Sequence, residues 1–127
     1  MEDDEFHLDE EYHNLANDYY KLGDFDQAIE NYSKAIEINP RHLESYFNRC
    51  LAYTRKQAFL KALDDQMKVI ELNPRLPEAY YTRGLVYEYI EDYEKALRDY
   101  NKALQLKPEY NQAREQLSIV EREMKSR

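Results

Sequence analysis

Three prolines, Pro40, Pro74 and Pro108, stand 34 residues apart, and the six residues ending at each are near copies: Ala-Ile-Glu-Ile-Asn-Pro, Val-Ile-Glu-Leu-Asn-Pro and Ala-Leu-Gln-Leu-Lys-Pro. A fixed period of that length marks an architecture in which one unit recurs and buries its apolar face only against its neighbours. In blocks 9–42, 43–76 and 77–110 six columns are identical: Glu10/Glu44/Glu78, Tyr12/Tyr46/Tyr80, Tyr19/Tyr53/Tyr87, Ala28/Ala62/Ala96, Lys34/Lys68/Lys102 and Pro40/Pro74/Pro108. The apolar spacing inside a block is helical. Tyr12, Leu15, Tyr19 and Leu22 share one face, and Ala28, Ile29, Tyr32, Ala35 and Ile36 share another. Each block therefore reads as two helices joined by a short turn, at Gly23-Asp24-Phe25, Gln57-Ala58-Phe59 and Glu91-Asp92-Tyr93. The second helix stops before Asn-Pro or Lys-Pro, because proline disfavours helix at the residue ahead of it.

Small residues fall where two antiparallel helices must come close: Ala16, Cys50 and Gly84 on the first helix, Ala28, Ala62 and Ala96 on the second. Cys50 is then a small buried hydrophobe. Leu15 becomes Arg49 and Arg83 in the later blocks, and sixteen residues on Asn31 becomes Asp65 and Asp99. The two changes travel together, which predicts structural ion pairs Arg49–Asp65 and Arg83–Asp99. Glu10, Glu44 and Glu78 open first helices, and Lys34, Lys68 and Lys102 are assigned to the last turns of second helices, the signs that the helix dipoles favour. After Pro108, Tyr110, Ala113, Leu117, Val120 and Met124 lie within a narrow arc, so residues 111–127 form a seventh helix capping the open end of the stack, with Ile119 on its outer side.

This pattern resembles the tetratricopeptide repeat: an aromatic opening each unit, small-x-x-Tyr in the first helix, Ala-x3-aromatic in the second, and a closing proline. It covers residues 9–110. Tyr stands in place of the usual Trp, and Gln66 in place of the aromatic held by Tyr32 and Tyr100. The expected fold is all-α, a right-handed α-solenoid of three helix-turn-helix repeats with a seventh capping helix, preceded by an acidic tail at residues 1–8.

Chemistry is sparse. His7, His13 and His42 are scattered, Cys50 is the single cysteine, and two glycines are too few for a phosphate-cradling loop. No catalytic residue, metal ligand or cofactor is assigned, and the chain reads as a binding module rather than an enzyme. Its 127 residues fit one compact domain. Net charge is −8, but Glu2, Asp3, Asp4, Glu5, Asp9, Glu10 and Glu11 supply seven acids within the first 11 residues, and the rest carries 19 acids against 18 bases. Without a basic stripe, direct nucleic-acid binding is not expected. The acidic head is either a solubilising tail or a docking tail for a basic partner. No run approaches the length of a membrane span, and the composition suits a soluble cytoplasmic protein.

The resemblance implies a concave groove lined by first helices. Carried onto this chain, its groove residues are His13, Asn14, Asn17, Tyr20 and Lys21, then Phe47, Asn48, Leu51 and Arg55, then Tyr81, Thr82, Leu85 and Tyr89, with Glu10, Glu44, Thr54, Glu78 and Glu88 beside them. Phe47, Leu51, Tyr81 and Leu85 lie off the faces that core packing should bury and are expected to form one contiguous apolar anchor site. Asn14, Asn17 and Asn48 can offer both donor and acceptor to an extended peptide. A subgroup of the family grips the C-terminal carboxylate of Hsp70 or Hsp90 through two Lys, two Asn and one Arg. Asn17 and Asn48 match, but His13, Glu78 and Thr82 stand where that clamp needs its cations, so chaperone-tail binding is not expected. The resulting expectation is an adaptor holding a protein or peptide partner. The alternative is a self-assembly module, with weak self-association through the repeat edges or the apolar groove.

Overall fold

The computed structural model describes residues 7–127; the rest of the acidic head lies outside the described residues. Seven helices follow one another: α1 (Leu8–Lys21), α2 (Phe25–Ile38), α3 (Leu43–Arg55), α4 (Phe59–Leu72), α5 (Pro77–Tyr89), α6 (Tyr93–Leu106) and α7 (Asn111–Lys125). Among the described residues there is no strand. The chain divides into two compact units, Met1–Leu72 and Asn73–Arg127. This is the consequence of a repeat, in which each helix meets mainly its sequence neighbours.

In the first unit α1 packs on α2, α2 on α3, and α3 on α4. The small residues do what their spacing required, since Ala16, Ala28, Cys50 and Ala62 have no exposed surface. Burial pushes the Cys50 thiol up to about 12, so it sits there as a neutral side chain. Ala16, Ala28 and Tyr32 form a core against which Tyr19 and Tyr20 pack. Gln66 takes the place of an aromatic at full burial, and neither its amide oxygen nor its amide nitrogen meets a hydrogen-bond partner. Each unsatisfied buried group of this kind costs about 1–3 kcal/mol.

In the second unit α5 packs on α6 and α6 on α7. Gly84 is required by contact: a Cβ there would lie 2.6 Å from the Tyr100 ring. Ala96, Tyr100 and Val120 form the core, with Tyr81, Leu85, Tyr87, Tyr93, Leu97 and Leu117 packed against it. Val120 and Ala113 of α7 are buried, Met124 is partly exposed and Ile119 faces outward at 42% exposure. The apolar arc of α7 is thus laid on α6, as the arc predicts.

The repeat columns gain physical content. Tyr46 Oη donates to the Pro40 carbonyl at 3.0 Å, and Tyr80 Oη to the Pro74 carbonyl at 2.8 Å. After Pro108 the Arg114 guanidinium takes over that carbonyl. Asn39 and Asn73 turn the chain by accepting from the amides of Arg41 and Arg75. Asp24 and Asp92 cap α2 and α6 by accepting from the amides of Gln27 and Lys95. The lysine column needs correction, because no basic residue lies in the last turn of α2, α4 or α6. Lys34 instead sits over the Tyr12 ring at 5.5 Å and Lys102 over the Tyr80 ring at 5.9 Å. In the first and third repeats these two identical columns therefore meet as cation–π pairs, while Lys68 lies 3.6 Å from Glu71.

Both predicted ion pairs form, each bidentate. Arg49 Nε and Nη2 lie 2.9 and 2.6 Å from the Asp65 carboxylate, and Arg83 Nε and Nη2 lie 2.9 and 2.8 Å from Asp99. Hydrogen bonding to Asp99 holds the Arg83 guanidinium charged more firmly than usual, against the opposing effect of burial. Arg49 also reaches across to the Ser33 hydroxyl at 3.0 Å. These arginines are structural.

Candidate peptide-binding sites

In the first unit α1 and α3 present a pocket of about 220 Å3 lined by Asn17, Tyr20, Lys21, Tyr32, Asn48 and Leu51. The polar groups there are pre-oriented. Tyr32 Oη donates to Asn17 Oδ1 at 2.5 Å, and Asn48 Nδ2 donates to the same oxygen at 3.2 Å. Burial raises the Tyr32 hydroxyl to about 12, so it remains a donor at neutral pH. With Asn17 Oδ1 taken twice, the Asn17 Nδ2 donors and the Asn48 Oδ1 acceptor are left for a ligand. One donor beside one acceptor is what a peptide unit needs. Leu51 adds an apolar wall and Lys21 a cation at the rim, while Tyr20 is braced edge-on against Phe25, 5.2 Å between ring centroids. Arg55 lies over that same Phe25 ring at 4.7 Å. Asn14 is exposed, and Phe47 is half-buried on α3.

His13 is placed differently from its sequence assignment: it is 7% exposed, not a groove side chain. Its Nδ1 lies 2.9 Å from Ser45 Oγ, and its ring rests 4.8 Å from His42 and 5.6 Å from Tyr32. Burial first, and then His42, pull its pKa below the usual 6.5. His42 caps α3, accepting from the Ser45 amide through Nδ1 at 3.2 Å, and donates from Nε2 to Glu10 Oε1 at 2.7 Å. The potential ligand atoms of Asp9, Glu10 and His42 lie within 4.8 Å of one another, which is close enough to consider a metal. The chemistry opposes it. The backbone amide fixes Nδ1 as acceptor and so places the proton on Nε2, the atom a metal would need, while Asn39 already donates to Asp9 at 3.0 Å. The group is a capping relay joining α1 to α3, invisible to sequence reasoning because Glu10 recurs in every block but His42 and Asp9 do not.

In the second unit Thr82 is also buried, at 7% exposure, and Tyr81 and Leu85 pack against the Ala96–Tyr100–Val120 core. Their apolarity is therefore explained by packing, contrary to the sequence expectation. Tyr81 stacks at a tilt on Tyr100 and Tyr110, with centroids 5.8 and 5.1 Å apart. A smaller pocket of about 150 Å3 remains, lined by Leu85, Glu88, Tyr89 and Gln116. Tyr89 is 63% exposed. Glu88 is held there: its Oε1 accepts from Tyr100 Oη at 2.7 Å and from Gln116 Nε2 at 3.0 Å. Sequence reasoning placed Glu88 beside the groove but had no signal for this clamp, since Tyr32 spends its hydroxyl on Asn17 instead.

Family models described as tetratricopeptide repeat match residues 10–42 and 50–122. Among solved structures, the first such domain of human RPAP3 is similar with a TM-score of 0.89 and 29% identity, over 94% of each chain. The first such domain of Spaghetti (RPAP3), bound to the HSP90 peptide SRMEEVD, gives a TM-score of 0.87 and 28% identity over 91% of this chain and 92% of that one. With these neighbours, the all-α helical-repeat solenoid is the fold class of the chain. A curated relative, human serine/threonine-protein phosphatase 5, is 50% identical over 48 residues, 38% of this chain. The matched segment spans 10% of the length of that relative.

Proposed function

The chain belongs to the tetratricopeptide-repeat family, whose domains act as protein–protein interaction modules, and from that premise we propose that the α1–α3 pocket holds an extended peptide of a partner protein in an adaptor role. The observation that carries this is the Asn17–Asn48 arrangement, in which Tyr32 fixes one amide so that the pair offers a donor and an acceptor side by side above Leu51. Main-chain hydrogen bonds would supply register and Leu51 an apolar contact. The peptides bound to similar domains support a peptide as the class of partner.

The test is selection of binding dodecapeptides from a random display library, followed by titration of the winners. Asn17→Asp keeps an oxygen for Tyr32 and Asn48 and exchanges the free donor for a charged acceptor; it should weaken binding about tenfold, roughly 1.4 kcal/mol. Leu51→Ala should cost a similar amount, with the melting temperature nearly unchanged. Winners that ignore both substitutions would refute the assignment, and growth of mass with concentration in light scattering would favour the self-assembly reading.

A further inference from the structure

We propose that the second unit carries a separate recognition site, on α5 and α7, for a cationic side chain of a partner, an arginine or lysine. It rests on reading the chain as an interaction module, but on different residues from the α1–α3 pocket. Glu88 is the centre. Tyr100 and Gln116 both donate to its Oε1, which fixes the carboxylate at the pocket wall and leaves Oε2 as an acceptor. No Lys or Arg among the described residues pairs with Glu88. The nearby bases are engaged elsewhere, Arg114 with the Pro108 carbonyl and Lys107 over the Tyr110 ring at 4.9 Å.

The surroundings favour positive charge. Glu88 and Glu115 both act on the Tyr81 hydroxyl, raising its pKa after burial has done most of the work, and Glu78 acts likewise on Tyr110, which reaches about 12. Glu88 and Glu115 thus act on the Tyr81 ring and Glu78 on the Tyr110 ring, and ring faces attract cations. Leu85 supplies the apolar wall along which the methylene stem of Arg or Lys can lie. A partner carboxylate would meet the like charge of Glu88 in the pocket wall, with Glu115 acting on the Tyr81 ring behind it. Charge complementarity therefore selects a basic occupant.

The probe is the capped dipeptide acetyl-leucyl-arginine amide, titrated to about 10 mM into the whole chain labelled with 15N. Its comparators are the citrulline isostere, which keeps the shape and loses the charge, and the glutamate analogue. The arginine probe should shift amides of α5 and of the middle of α7 saturably, and bind at least fivefold more tightly than the other two. Glu88→Gln keeps an oxygen for Tyr100 and should abolish that preference without changing the melting temperature, whereas Asn17→Asp should leave it intact. Equal binding of arginine and citrulline, insensitivity to Glu88→Gln, shifts confined to α1 and α3, or no saturable shift at all would each overturn the site. Only the loss of the Asn17→Asp effect on selected peptides bears on the α1–α3 pocket, so the two readings fail separately.

Discussion

His13 was read as a groove residue because its column faces the groove in the resembling family, and its burial has a consequence that can be measured. The folded protein holds the imidazole neutral by desolvation and by the neighbouring His42, an effect that Glu10, Glu44 and Asp9 only partly offset. Its pKa thus lies below 6.5 when folded, and the unfolded chain binds the proton more readily. Stability from this residue is complete above the unfolded value and falls as pH drops through about 6.5 and below. The melting temperature should decline by a few degrees between pH 7.5 and 5.5, and His13→Gln, which keeps a group for Ser45, should flatten that decline. An unchanged slope in the variant would place the proton uptake elsewhere. The contrast with Arg49 and Arg83 shows which residue contacts the sequence discloses. Their aspartates were found because three copies of one unit let a change at one place be compared with a change at another. The links from Glu10 to His42 and from His13 to Ser45 occur once, so the chain holds no second copy to compare.

Helix existence, helix limits and the closing turns followed from period and punctuation, since Ala28, Ala62 and Ala96 with the three prolines leave one register open. Finer placement depended on geometry: Lys34 and Lys102 reach ring faces, not helix ends, and Tyr81 is consumed by Tyr100 and Tyr110. The inter-helix turns carry one more consequence at this scale. Gly23 closes the first hairpin at φ +82°, but Gln57 and Glu91 occupy the same left-handed region at φ 62° and 63°. A side chain there is strained, and glycine removes the strain. Gln57→Gly and Glu91→Gly should each stabilise by about 0.5–1 kcal/mol, net of the entropy that glycine adds to the unfolded chain. Urea titration at constant m-value checks this. Gly23→Ala is the reverse experiment and should lose a comparable amount. If the glycine variants were less stable, the turns would owe their shape to side-chain contacts of Gln57 and Glu91.

At the scale of the whole chain, charge decides which partners can approach. Net charge is −8, and a site for a terminal carboxylate needs cations to offset that field locally. Of the five positions a carboxylate clamp uses, Asn17 and Asn48 are in place; His13 and Thr82 are buried, and Glu78 is itself an anion. Burial strengthens the sequence argument, because neither His13 nor Thr82 can swing out to donate without vacating its packing. The peptide SRMEEVD, which occupies the similar Spaghetti (RPAP3) domain, is therefore expected to gain little here from its free carboxylate. Fluorescence anisotropy with that peptide and its C-terminal amide should give affinities within about twofold of each other. Raising salt should leave both unchanged or slightly tighter, as screening weakens repulsion between an acidic protein and an acidic ligand. A tenfold preference for the free acid, about 1.4 kcal/mol, that disappears at high salt would instead reveal an anion site. Lys21 would then be the residue to replace first, because it lines the α1–α3 pocket together with the two asparagines.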